Sequence, residues 1–330
     1  MKDNKFTTLA FLGDAIVTGD ILGNITRWNL DQSGHVAELI GNVHEEIIDL
    51  VSHGLTTVVL TASGKVYAWS TKSRRIGFDI GFEILEGELI HVVDAELLQD
   101  PCKLDIWGLT EVIIRFGKST NGDWGFLALD LATGEETLAF SSEDIGNYEN
   151  LLFEGALVIG HEKVFHRDSG EVCAEILSAG REFEVHSDDY VVDVFASFIH
   201  KVNGIENRYA VVDHLWSYSL TPNPDDEDIA FDASDEPNEL CINIISLDPS
   251  DISINEEFFS KPAFVDGMDS EFLHFKFKED EAMSLAFYKD MMATITSSGD
   301  LKVFNYVNKE RLHHIKPQAK PETDEFGNAI

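Results

Sequence analysis

"LAFLGDAIVTGDILGNITRWN", residues 9–29, is written again near the far end of the chain as "LAFYKDMMATITSSGDLKVFN", residues 285–305. An ungapped shift of 276 positions lays Leu9 on Leu285, Ala10 on Ala286, Phe11 on Phe287, Asp14 on Asp290, Thr18 on Thr294, Gly23 on Gly299 and Asn29 on Asn305. Trp28 falls on Phe304. A third copy, "LVSHGLTTVVLTASGKVYAWS", residues 50–70, follows the first by 41 positions and lays Leu50 on Leu9, Val58 on Val17, Gly64 on Gly23 and Trp69 on Trp28. Self-similarity at a spacing of this size marks a chain built by repeating one supersecondary unit.

Each copy carries short bursts of Val, Ile, Thr, Phe and Trp separated by "LGN", "SGK" or "SGD". Bursts of strand length between turn residues predict β-strands, and helical periodicity is nearly absent. A second turn follows the tryptophan-bearing strand in "NLDQSGHV", "LDLATGEE" and "HRDSGEV", where Gly after Ser or Thr suits a tight hairpin. Four strands per unit result. Units are predicted at about residues 6–40, 46–81, 88–140, 148–178 and 282–316. Between 180 and 281 the strand-like runs suffice for two units with a long insertion or for one elaborated unit.

The segments "GDAIVTGDILGNITRWNL", "TTVVLTASGKVYAWST" and "MMATITSSGDLKVFNYV" resemble the WD-repeat β-propeller family, and the resemblance extends over nearly the whole chain. Where blades of that family end in Trp-Asp, this chain has Trp28-Asn29, Trp69-Ser70 and Phe304-Asn305. The resemblance implies an all-β fold of four-stranded blades, seven favoured and six the alternative, in one domain spanning residues 1–316. It also implies closure of the ring by strand exchange, with "ERLHHIK" (310–316) pairing beside the blade built from residues 7–30. Residues 317–330, polar and holding two prolines, are expected to form a flexible tail.

Composition bounds the function. The 330 residues, 44% hydrophobic, can bury a large core. No apolar run is long enough to span a bilayer, and "MKDNKFTTLAFLGD" holds no leader pattern. Cys102, Cys173 and Cys241 are odd in number and form no close pair, which suits a reducing compartment. The expected location is the cytoplasm, or the nucleus in a eukaryote. Sixty acidic against 24 basic residues give a formal charge of -36. Such a field repels nucleic acid and anionic lipid and attracts a basic protein or peptide.

Motifs for chemistry are lacking. "FGKST" has Val112 where a phosphate-binding loop needs glycine, five positions before Gly117. His313 and His314 are neighbours, which in a strand sends them to opposite faces and prevents joint metal ligation. Asn24-Ile25-Thr26 spells a glycosylation acceptor inside a predicted strand. No cofactor, metal or catalytic residue is therefore expected.

The densest acidic segment is "PNPDDEDIAFDASDEPNE", residues 222–239, read as a loop inserted between strands. As a partner-binding clamp it would use Asp225, Asp226, Glu227, Asp228, Asp232, Asp235 and Glu236 against Lys and Arg, with Ile229 and Phe231 as apolar anchors. Trp124, beside a predicted turn, is the tryptophan expected at the surface, whereas Trp28 and Trp69 are expected in the core. Within the WD-repeat family, strongly acidic members include escorts of basic proteins such as histones and ribosomal proteins, and this chain is similar to them in charge. The expected function is a non-enzymatic interaction scaffold or escort, alone or as a subunit of a multiprotein assembly. The alternative is a propeller enzyme, or a binder of a sugar or other small ligand in the central channel.

Overall fold

The computed structural model describes residues 4–31, 34–53, 56–76, 79–84, 87–93, 103–107, 111–116, 125–140, 152–154, 157–159, 163–166, 172–175, 190–206, 208–222, 229–233, 239–246, 273–276, 282–308 and 310–317. Every regular element among them is a strand, as the sequence patterning requires. The first sheet is an antiparallel meander of β1 (Phe6–Leu12), β2 (Ala15–Asp20), β3 (Asn24–Asp31) and β4 (Gly34–Asn42). Its β2–β3 turn needs glycine, because Gly23 takes φ 83°, a conformation that a β-carbon opposes. Gly64 and Gly299, its repeat partners, also take φ 83°. In all three turns the glycine amide donates to a carbonyl three residues earlier, that of Asp20 at 3.1 Å, Thr61 at 2.9 Å and Thr296 at 2.8 Å.

The second sheet contains β5 (Ile47–His53), β6 (Thr56–Thr61), β7 (Lys65–Ile76), β8 (Asp79–Ile84) and β9 (Glu88–Val92). The long β7 serves two partners: Lys65–Ala68 pairs with β9, and Thr71–Ile76 pairs with β8. Glu88–Val92 therefore completes the second sheet, where the repeat spacing had placed it at the head of the third unit. The third sheet is β10 (Lys103–Trp107), β11 (Glu111–Phe116), β12 (Gly125–Asp130) and β13 (Glu136–Phe140). The fourth is β14 (Leu152–Glu154), β15 (Leu157–Ile159), β16 (Lys163–His166) and β17 (Val172–Glu175).

Between 190 and 276 the described strands make a single four-strand path from β18 (Tyr190–Asn203) and β19 (Arg208–Pro222) to β21 (Glu239–Ser246) and β22 (Leu273–Lys276). A further strand, β20 (Ile229–Ala233), pairs with β19 off that path. The last meander is β23 (Ala282–Tyr288), β24 (Met291–Thr296), β25 (Leu301–Asn305) and β26 (Glu310–Ile315). It joins the preceding one through parallel pairing of Val202 with Phe287 and Asn203 with Tyr288.

The strand-exchange expectation is corrected by this pairing. "ERLHHI" lies against β25 of its own sheet, with Leu301 opposite Ile315 and Val303 opposite His313, while β4 occupies the outer edge beside β3. The cause is local. Asn305 Oδ1 accepts from the amides of Val307 (3.0 Å) and Asn308 (3.1 Å), tightening a return too short to carry the chain to another sheet.

Successive first strands touch one another: β1 with β5, β5 with β10, β10 with β14, β14 with β18, β18 with β23, and β23 with β1. Sheets with neighbours on both sides bury both faces of their middle strands, so all six residues of β2 are buried, as are the last five of β6 and β24. The cores lie between sheets. One joins Phe6, Leu9, Phe11, Ile16 and Trp28 to Ala293, Ile295, Leu301, Val303 and Ile315. Another joins Val17 and Ile25 to Ile47, Leu50, Val59 and Trp69.

Candidate functional site

The acidic segment sits at the end of the longest strand. β19 pairs with β21 from Arg208 to Leu215 and, still paired with β18 on its other side as far as Ser219, pairs with β20 from Tyr218 to Pro222. Ile229 stands opposite Pro222, Phe231 opposite Leu220 and Asp232 opposite Ser219. Part of what reads as a loop in the sequence is thus a hairpin strand, because Ile-Ala-Phe-Asp-Ala alternates in the manner of one. Asp225, Asp226, Glu227, Asp228, Asp235, Glu236 and Trp124 lie outside the described residues.

Two carboxylates that the sequence reading did not single out organise the sheets at the repeat seams. Asp20 is only 3% exposed, and no cation holds its charge among its hydrogen bonds to described residues. Its Oδ1 accepts from the amides of Leu22 (2.8 Å) and Asn24 (2.9 Å), and its Oδ2 from Asn24 Nδ2 (2.7 Å) and Asn4 Nδ2 (3.0 Å). Asn24 Oδ1 in turn accepts from Asn42 Nδ2 at 2.6 Å. Both ends of the Asn24 amide are therefore engaged within the fold. The second and last repeats place Thr61 and Thr296 at the Asp20 position, where each hydroxyl accepts one amide, from Lys65 (3.1 Å) and Asp300 (3.3 Å).

Asp49 links three first strands. Its Oδ1 accepts from Thr8 Oγ1 of β1 (2.8 Å) and from its neighbour Leu50's amide (3.0 Å), while its Oδ2 accepts from the Leu104 amide of β10 (2.7 Å). A backbone irregularity recurs beside it: the register slips between Phe6 and Thr8, between Ile47 and Asp49, and between Ala282 and Ser284, equivalent places in three repeats. A bulge of this kind re-aims the side chain that follows it. Polar residues in a strand ordinarily signal a solvated face, so no pattern in the sequence distinguishes Asp49 from one.

Trp28 and Trp69 are buried, 3% and 5% exposed. Trp28 Nε1 donates to Thr18 Oγ1 at 2.9 Å, and the Trp69 indole lies so close to Gly41 and Gly87 that a β-carbon on either would stand 2.8 or 2.1 Å from it. Both are packing residues. His314 Nε2 lies 2.7 Å from Asp300 Oδ2, away from His313's side of the strand. Among the described residues no group of three or more His, Cys, Asp and Glu could hold a metal, and no helix is long and apolar enough to cross a membrane.

The outer strands show the reverse of the middle ones. Large apolar side chains stand in solvent at Val36 and Leu39 of β4, Leu89 and Val92 of β9, and Leu312 of β26. From His35 to Leu39 every residue of β4 is exposed.

No family model and no curated protein matches the chain. Among solved structures, the computationally designed Ika8 protein is similar over 96% of this chain and 89% of its own, with 14% identity and a TM-score of 0.42. The β-propeller domain of Myceliophteria thermophila Cps50 (Swd1) is similar over 92% of this chain and 96% of its own, with 9% identity and a TM-score of 0.44.

Proposed function

We propose that the chain is a six-bladed β-propeller that acts as a non-enzymatic scaffold or escort, offering an acidic surface to a basic protein or peptide, alone or within a larger assembly. The six-bladed reading draws on the order of first-strand contacts, β1, β5, β10, β14, β18, β23 and back to β1, each strand opening one four-strand meander. The observation that carries the function is the charge of -36. On a rigid ring such a field concentrates basic partners and speeds their encounter, and it opposes nucleic acid and anionic membranes. The β19–β20 arm with its flanking carboxylates is the first candidate for contact.

Fluorescence anisotropy with a labelled lysine- and arginine-rich peptide tests this reading. Affinity should fall at least about tenfold between about 50 and about 300 mM salt, since screening shortens the reach of the field. Absence of binding at low salt, or binding indifferent to salt, overturns it. Deletion of residues 222–239 reports separately on the arm: unchanged affinity would move the contact elsewhere on the surface.

A further inference from the structure

We propose that β4, the outer strand of the first sheet, is a strand-addition site for an extended peptide of alternating apolar and basic residues. The site is backbone first. β4 is bonded to β3 along one side, and no described strand pairs with its other side, which leaves a row of amides and carbonyls facing outward. Edges of this kind invite a further strand unless length, charge or proline discourages it. β4 has nine residues, no proline and no lysine or arginine. By contrast β26 has six residues and carries Glu310 and Arg311 at its exposed start, and β9 has five.

The side chains agree with the backbone. Val36 and Leu39 are 64% and 63% exposed, more than any other large apolar residues among those described. They lie on opposite faces of the strand, so an added strand would find an apolar neighbour on each. Glu38 is the strand's one carboxylate, also exposed, and Arg27 stands opposite it on the inner strand β3. The whole-chain charge of -36 disfavours a second copy of this chain as the occupant and favours a basic one. This choice of occupant rests on the acidic-scaffold reading; the location does not, because β4 is remote in sequence from residues 222–239 and belongs to a different sheet.

The test uses the full chain and two labelled peptides of alternating valine and lysine, matched in length to β4's nine residues. One has an unmodified backbone; in the other, alternate amides are N-methylated, which keeps charge and side chains but blocks a strand ladder. The chains compared are the wild type, Val36→Ser with Leu39→Ser, and the form lacking residues 222–239, with unfolding midpoints measured to show that each is folded. The unmodified peptide should bind the wild type and the deletion form alike. Affinity should fall at least about tenfold on N-methylation and about as much in the double serine variant, corresponding to about 1.4 kcal/mol.

Equal affinity for both peptides, or undiminished binding by the serine variant, overturns the β4 site and leaves the acidic scaffold standing. Binding lost only on deletion of 222–239 overturns it in favour of the arm. If neither peptide binds at low salt, both readings fall. A dimer in sedimentation equilibrium that disappears with Val36→Ser and Leu39→Ser would give the edge to a second copy and overturn the proposed occupant.

Discussion

The amide of Phe6 donates to the carbonyl of Gly299 across 3.3 Å, so the first strand of the chain is fastened to a turn of the last sheet. Phe6 itself is 5% exposed, edge-on to Trp28 at 5.7 Å, within the core shared with Ile295, Leu301 and Val303. Phe6→Ala should cost about 3–5 kcal/mol in denaturant unfolding, because the vacated volume is bounded by two sheets that cannot both collapse into it. A loss below about 1 kcal/mol would mean that the two ends of the chain are not packed together in solution.

Gly13 and Gly23 separate two effects that alanine usually mixes. Both have positive φ, 63° and 83°, but a β-carbon at Gly13 meets nothing within 4 Å, while at Gly23 it would stand 2.6 Å from the Glu45 carbonyl oxygen. Gly13→Ala should therefore cost about 1 kcal/mol, the price of the backbone conformation alone. Gly23→Ala should cost at least about 1 kcal/mol more, since the obstructing atoms are main chain and cannot rotate away. Equal losses by thermal unfolding would contradict the close approach between these segments.

Asp49→Asn tests the link between the first strands of three sheets. An amide has one acceptor oxygen where the carboxylate has two, so Thr8 and Leu104 can no longer both be served. A loss of about 1–3 kcal/mol is expected, together with faster hydrogen exchange at the Leu104 amide. Unaltered exchange at Leu104 would show that the bond is not formed.

Glu45 and Lys65 join the connection after the first sheet to the β6–β7 turn, with Nζ 2.9 Å from Oε1. Partial burial alone would push the Glu45 carboxyl up, but hydrogen bonds from Lys65, Ser63 and Thr61, with the Lys65 charge, outweigh it and hold the group below its ordinary 4.5. A carboxyl depressed in the folded state stabilises the fold above its unfolded pKa, and that contribution is lost as pH falls through the folded value. Lys65→Met should accordingly flatten the decline in stability between about pH 5 and about pH 3. A wild-type decline of the same steepness would remove the pair from the account.

The repeat turns could be read from sequence because their geometry admits one residue: positive φ at positions 23, 64 and 299 requires glycine whatever surrounds it. Burial of Trp28 and Trp69 was equally legible from their strand positions. Pairing partners were not. The alternation in "ERLHHI" fits β25 of its own sheet as well as any neighbouring edge, and only the tight return capped by Asn305 decides between them. Glu88–Val92 was misassigned because the β7–β8 extension separates it in sequence from the strand it completes. Ile229–Ala233 was hidden by the carboxylates around it, whose density signals solvent even where alternate residues pair. Asp49 shows the general obstacle: its two acceptors are used by residues 41 and 55 positions away, separations that no local pattern encodes.

Because each meander draws its four strands from one contiguous stretch, none must wait for a distant segment to fill its outer edge. On a ribosome the leading sheet could therefore assemble while the trailing one is still being translated, leaving the seam between them, with Phe6 bonded to Gly299 and packed among Ile295, Leu301 and Val303, to form last.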